Sequence, residues 1–231
     1  MSTSLAFYDA PSESPIDSTA VETTRDEFGF DMCLDMEGPA ILSSDPKAIE
    51  RRNAVDGSVK ITFDMAMNDT AGRPVRVFCD GVFDLFHQGH ANVLHQAKTA
   101  FPNVYLIAGI NCDRDTHRIK GQTVFYEEER LEILKHIRYI DEVCICPFNF
   151  DMEFVKEMKI DFVAHDAIPY PISGEADDMY QKFRDAGVFV ETKRWEGVST
   201  TDVLHRILTD VETYIVRNIG KGKVIQDRQR S

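Results

Sequence analysis

From Arg73 onward, short apolar runs alternate with segments of helical periodicity, and few folds accommodate that alternation. Residues 75–79 (Val-Arg-Val-Phe-Cys) read as a compact strand. Residues 104–110 are almost continuously apolar, the pattern of a strand buried on both faces of a parallel sheet. Runs at 142–146, 162–165 and 188–192 bring the expected count to five strands. Helices are expected at 89–100, 127–138, 152–158 and 177–186, and the three glutamates at 127–129 suit a helix N-terminus. The last helix is the clearest. Ser199 with Asp202 makes a capping-box-like start, and Val203, Leu204, Ile207, Leu208, Val211, Tyr214 and Ile215 recur at helical spacing before Gly220. Strands alternating with helices predict an α/β fold: a Rossmann-like, doubly wound, five-stranded parallel sheet with helices on both faces. Such sheets bind ligands beyond the carboxyl ends of their strands, where the strand order reverses.

The formal net charge is −13 on 231 residues, which argues against a protein that wraps nucleic acid through broad phosphate contacts. A small phosphate site needs only a few local cations and backbone N–H groups, so it stays allowed. The acid is uneven. Residues 1–72 hold 14 acidic against 5 basic side chains, a net of −9, and residues 73–231 hold 25 against 21, a net of −4. With Pro11, Pro15, Pro39 and Pro46, Ser/Thr clusters and little periodicity, residues 1–72 read as an acidic, largely disordered extension. A short strand near 59–63 is the one exception, and turn residues at 68–74 separate it from the strand at 75–79. No apolar run approaches the ~20 residues that span a bilayer, and the N-terminus lacks the basic and apolar regions of a secretory signal. Five cysteines without zinc-like spacing read as reduced thiols, so residence in the cytoplasm, or in the nucleus, is expected.

Two segments carry chemistry, each at a strand end. The first, residues 79–90, joins the first strand to the first helix and contains His87, Gly89 and His90. A helix N-terminus offers free N–H groups and a positive dipole end to an anion, and Gly89 lets backbone approach it closely. Two imidazoles there can donate hydrogen bonds to charge developing on a phosphoryl group. The same pair also fits two structural histidines, one capping and one packed, or two ligands of an incomplete zinc site. The second segment, residues 194–201, reads Arg-Trp-Glu-Gly-Val-Ser-Thr-Thr and precedes the last helix. Ser199 and Thr200 can cap that helix and bind phosphate oxygens, and Arg194 can supply a charged fork. A plain capping box after a glycine turn is the competing reading.

Together, HxGH after the first strand and RxxGVST before the last helix resemble the signature of the cytidylyltransferase branch of the nucleotidylyltransferases, most closely its phosphocholine-specific catalytic domains. The resemblance extends over 73–218 and includes the blocks at 73–77, 80–87, 138–143 and 161–166. It implies a cytidylyltransferase catalytic domain over 73–218, followed by a short basic tail over 219–231. The implied reaction transfers CMP from CTP to phosphocholine, giving CDP-choline and pyrophosphate. His87, His90 and Lys120 would be catalytic. CTP would be bound by Val82, Phe83, Asp84, His87, Gly89, His90, Lys120, Arg130, His165, Arg194, Trp195, Gly197, Val198, Ser199 and Thr200. Read without the resemblance, Lys120 is a solvated loop residue and Arg130 a surface partner of Glu127.

A quaternary ammonium has no N–H donor and is held by aromatic faces and carboxylates. Lys120, Phe148, Asp166, Tyr170 and Tyr180 are the candidates for phosphocholine, although each tyrosine read singly is also plain core. Phe148 and Trp195 stand where the resembled domains have Trp and Thr, and Ala167 replaces a second acid. The alternatives are a phosphoethanolamine enzyme, whose motif ends in the same Val-Ser-Thr-Thr, a glycerol 3-phosphate enzyme, and a catalytically silent nucleotide-binding protein. Mg²⁺ is expected only as the CTP complex, since the sequence has no dedicated carboxylate cage. The 138–143 block resembles a dimer contact, so a homodimer is expected. Lys221, Lys223, Arg228 and Arg230 come with almost no apolar face, so no long lipid-sensing helix is expected and anionic vesicles should leave activity nearly unchanged.

Overall fold

The structure, a computed structural model, describes residues 38–167 and 178–220. In chain order its elements are β1 (Ile41–Leu42), α1 (Pro46–Asn53), α2 (Phe63–Met67), β2 (Val75–Gly81), α3 (Gln88–Lys98), β3 (Val104–Asn111), α4 (Asp113–Ile119), α5 (Glu127–Lys135), β4 (Glu142–Cys146), α6 (Met152–Glu157), β5 (Phe162–Asp166), α7 (Gln181–Asp185), β6 (Phe189–Thr192), α8 (Thr200–Thr209) and α9 (Val211–Gly220). The strands form one parallel sheet in the order β1-β4-β3-β2-β5-β6. From β2 the chain winds outward through β3 and β4 on one side, then returns to β5 and β6 on the other. The order therefore reverses between β2 and β5, whose carboxyl ends carry Asp80, Gly81, His165 and Asp166.

Both faces of the sheet are covered. Alternate side chains of β2 go to opposite cores. Val75, Val77 and Cys79 join Leu94, Ala97, Leu106, Ala108 and Leu134 beneath α3 and α5. Phe78 joins Ile107, Val163, Phe150, Val155 and Phe183 beneath α6 and α7. Among the described residues no helix is long and apolar enough to cross a membrane.

Four features differ from the sequence expectations. The sheet has six strands rather than five, because the two-residue β1 pairs in parallel with β4. The compact unit begins at Pro39, so residues 39–72 belong to the fold instead of lying in an extension that ends at 72. Ala40, Ala48, Ile61 and Ala66 are buried, Asp45 and Thr62 cap α1 and α2, and the Ser43 hydroxyl donates to Glu142 at 2.5 Å. Four small apolar anchors so widely spaced leave no periodicity to read, which is why the segment looks structureless in sequence. The last helix breaks at Asp210, and its apolar stripe is largely uncovered: Leu208 and Val216 are each 69% exposed. The short α4 has too few residues to show a helical repeat and was not expected; it sets Lys120 at its C-cap.

Candidate active site

Leaving β2, the chain passes through residues 82–87, two of which take a conformation that most residues avoid. Phe83 (φ 54°) and Leu85 (φ 46°) are both left-handed, at a cost on the order of 1 kcal/mol or more each. Asp84 between them holds the loop: its Oδ1 accepts from the Leu85 and Phe125 amides at 3.0 and 2.9 Å, and its Oδ2 accepts from the Val124 amide at 2.8 Å.

The loop ends at His87, the N-cap of α3. Its Nδ1 accepts the Gly89 N–H at 3.1 Å, and His90 Nδ1 accepts the His87 N–H at 3.3 Å. The two rings stack with centroids 3.7 Å apart and planes 17° from parallel. Because each Nδ1 is an acceptor, each neutral ring carries its proton on Nε2. Burial, with smaller contributions from His87 and Lys120, lowers the His90 pKa to about 3. His87 is also lowered, first by burial and then by Arg194, with Asp202 opposing. At neutral pH the pair is therefore two uncharged Nε2–H donors on the wall of one cavity. Gly89 is closely hemmed in by side chains. A Cβ there would lie 3.0 Å from His87 Cε1 and 3.2 Å from Val198 Cγ1.

The second wall comes from the turn between β6 and α8. Gln96 clamps Lys193 by both main-chain groups, accepting from its N–H at 2.8 Å and donating to its carbonyl at 2.9 Å. Gly197 takes a left-handed turn (φ 74°), and Ser199 caps α8 by accepting the Asp202 amide at 3.1 Å. Thr200 donates to the Asp84 carbonyl at 3.0 Å, tying the start of α8 to the loop that leads into α3. Between them lies a cavity of about 460 Å³, lined by His87, His90, Lys120, Arg194, Ser199 and Thr200 among others. Lys120 is exposed by surface area, but the protein crowding its ammonium lowers its pKa by desolvation, which Asp80 and Asp166 oppose and Arg194 reinforces. An anion entering here meets two helix N-termini, two imidazole donors and two cations.

The profile of the cytidylyltransferase-like family matches residues 78–206, which contain every one of these groups. The chain belongs to the cytidylyltransferase-like family. It is 49% identical over 166 residues to choline-phosphate cytidylyltransferase A of Mus musculus, covering 71% of this chain and 45% of that protein. It is 47% identical over 182 residues to a probable choline-phosphate cytidylyltransferase of Schizosaccharomyces pombe, covering 78% and 50%. Ethanolamine-phosphate cytidylyltransferase of Mus musculus is 38% identical over 138 residues, covering 59% and 33%. The chain thus spans about half the length of the curated choline-phosphate relatives it matches.

Within this cytidylyltransferase-like site, most of the expected residues come together. Val82, Phe83, Asp84, His87, Gly89, His90, Lys120, His165, Asp166, Arg194, Trp195, Val198, Ser199 and Thr200 all line the cavity. Gly197 shapes the turn behind it. Arg130 does not line it. It is completely buried, and its guanidinium is bonded to the Val82 and Asn111 carbonyls and to Asp113, so it is neither a surface ion pair with Glu127 nor placed at the cavity wall. A single arginine on a helix gives no sequence sign of which way it faces.

The aromatic side chains also differ from an open cage. Phe148 is buried beneath Lys120, whose ammonium lies 5.2 Å from the ring centroid. Tyr180 is buried, stacks on His165 at 4.2 Å and donates its hydroxyl to Asp80 at 3.0 Å. Both belong to the layer under the cavity floor. Tyr170 lies outside the described residues. Sequence reasoning missed Asp80, which lines the cavity and also accepts from Asn111 at 3.3 Å. Its position at the end of β2, beside the reversal in strand order, is the signal that could have found it. Thr116, Gln122 and Thr123 line the cavity too, brought there by the unforeseen α4.

Proposed function

We propose that the chain catalyses transfer of CMP from CTP to phosphocholine, with CDP-choline and pyrophosphate as products. A phosphate oxygen of phosphocholine attacks the α-phosphorus of CTP, a new P–O bond forms, and the bond to the β-phosphate breaks in line with it. No covalent intermediate with the protein is needed, so the protein positions two anions and neutralises charge. The stacked His87–His90 pair carries this reading, because both rings, each with an Nε2–H left to donate, line a cavity built on two helix N-termini. In the proposal the pair and Arg194 hold the triphosphate, Ser199 and Thr200 add contacts at the start of α8, and Lys120 bridges CTP and the incoming phosphate. Mg²⁺ enters as part of the CTP substrate. Asp80 fits no resident metal, since its carboxylate is engaged by Tyr180 and Asn111, and the described residues offer no cluster of three or more metal-ligating side chains.

Choline is favoured by the higher identity to choline-phosphate enzymes than to the ethanolamine-phosphate enzyme. Two carboxylates at the reversal of strand order, Asp80 and Asp166, offer negative charge to an ammonium head of either kind. Phosphoethanolamine is the second reading. The buried positions of Phe148 and Tyr180 support it, because a primary ammonium uses carboxylates and needs no open aromatic faces. The proposal extends to a homodimer formed through residues 138–143 and to residence in the cytoplasm or nucleus.

The deciding assay supplies CTP with phosphocholine, phosphoethanolamine or glycerol 3-phosphate in parallel. Phosphocholine should give the highest kcat/KM; equal rates would remove the argument for choline. His90→Ala should lower turnover by a factor of at least about 100. Unchanged turnover would remove the histidine pair from the mechanism, and no turnover by the wild-type protein would leave a nucleotide-binding protein in place of an enzyme.

A further inference from the structure

Arg130 sits on α5, where Leu134 is the one other buried residue, and is itself 0% exposed. Its Nη1 donates to the Val82 carbonyl in the strained loop after β2. Its Nη2 donates to the Asn111 carbonyl at the end of β3, at 2.8 Å, and to Asp113 Oδ1 at the start of α4, at 2.6 Å. One guanidinium therefore joins three segments that are remote in sequence: its own helix α5, the loop after β2, and the β3–α4 junction.

Asp113 extends the network. Its Oδ2 accepts the Glu127 amide at 3.2 Å, and Glu127 Oε2 accepts the Asp113 amide at 2.7 Å, so the starts of α4 and α5 cap each other. Residues 120–126 run between these two helices and carry Lys120. Their far end is gripped by Asp84 through the Val124 and Phe125 amides. The segment is thus pinned at its α5 end by Asp84 and, through the Glu127 amide, by Asp113, while α4, which begins at Asp113, holds its Lys120 end through the Thr116 carbonyl; both carboxylate anchors lead back to residues 82–85.

We propose that Arg130 and Asp113 form a positioning unit that fixes Lys120 relative to the histidine pair, and so acts on the rate of transfer instead of on nucleotide affinity. This rests on the reading of His87, His90 and Lys120 given above. Burying an arginine is costly, and an apolar residue of similar volume commonly stabilises a fold as well or better. Here, moreover, the Nε atom is buried without a hydrogen bond. What the guanidinium supplies that an apolar side chain cannot is a fixed three-way connection. Loss of alignment by about 1 Å between reacting groups costs on the order of 100-fold in rate.

The test compares the wild-type protein with Arg130→Met and Asp113→Asn. CTP-binding sites are titrated by calorimetry, and kcat is expressed per titrated site, so that misfolded protein does not count. The expected result is a fall in kcat per site of at least about tenfold, with the Kd for CTP unchanged within about threefold. Hydrogen exchange should quicken at the Val124 and Phe125 amides and stay unchanged within α6. Unaltered kcat per site, or a loss confined to the Kd for CTP, would overturn the proposal. If Arg130→Met does not fold, Asp113→Asn, nearly the same in shape and less deeply placed, decides by the same criteria. If the wild-type protein forms no CDP-choline, the functional reading fails by itself. The exchange data then decide whether the connection exists, and unchanged exchange in both variants would end it.

Discussion

The firmest quantitative expectation concerns Glu142, at the end of the sheet remote from the cavity. Glu142 begins β4 and is completely buried. Its Oε2 faces Arg76 Nη2 at 3.5 Å, and its Oε1 accepts from the Ser43 hydroxyl at 2.5 Å with Arg52 Nη1 3.9 Å away. Arg76 is buried too, but it keeps other partners: it donates to the Lys159 carbonyl at 3.1 Å and the Met158 carbonyl at 3.2 Å. Removing one partner of a buried ion pair costs about 3–5 kcal/mol, chiefly by leaving the other charge uncompensated. Because two carbonyls still serve Arg76, Glu142→Leu should fall at the low end, with about 1 kcal/mol more for the orphaned Ser43 hydroxyl. A loss of about 4 kcal/mol lowers the urea midpoint by roughly 2 M, given a slope of about 2 kcal/mol/M. Arg76→Met should cost a similar amount, but Arg76→Met/Glu142→Leu together should cost much less than their sum, with a coupling of about 2 kcal/mol or more. Limited proteolysis of Glu142→Leu should open the 39–53 segment first, since Ser43 and Arg52 lose their anchor. Additive single effects, with coupling below about 0.5 kcal/mol, would refute the account.

CTP binding should take up protons. The free histidines are held neutral, His90 by a pKa lowered to about 3, and a bound triphosphate favours the charged form, so the complex binds more protons and affinity should rise as pH falls from 8 to 6. Calorimetry in two buffers of different ionisation enthalpy measures the uptake, and net release would contradict it. Gly89→Ala should displace the His87 ring and lower kcat at least about tenfold while circular dichroism stays unchanged. Trp195 is the sole tryptophan of the chain and is 51% exposed at the cavity rim, so saturating CTP should change its emission. Constant emission would place it outside the nucleotide site.

Much of this molecule is legible in local sequence. The periodicities at 75–79 and 104–110 sufficed for parallel strands, because strands buried on both faces must be apolar throughout. HxGH and RxxGVST sufficed for two helix N-termini at strand ends, because capping, close backbone approach and anion binding all act within one turn of a helix. Residues 39–72 stayed hidden for a complementary reason. Their attachment depends on Ile41 and Leu42 finding β4 and on Ser43 finding Glu142, 99 positions away.

What only the tertiary structure decided was direction and depth. Arg130 faces inward and joins three segments instead of lining the cavity, Tyr180 lends its hydroxyl to Asp80 beneath the cavity, and Asp80 itself emerges at the reversal between β2 and β5. A sequence specifies which groups a chain can offer at each turn and strand end. Whether a guanidinium or a phenol ends up against solvent or against another strand depends on packing between segments far apart in the chain, which no local pattern encodes.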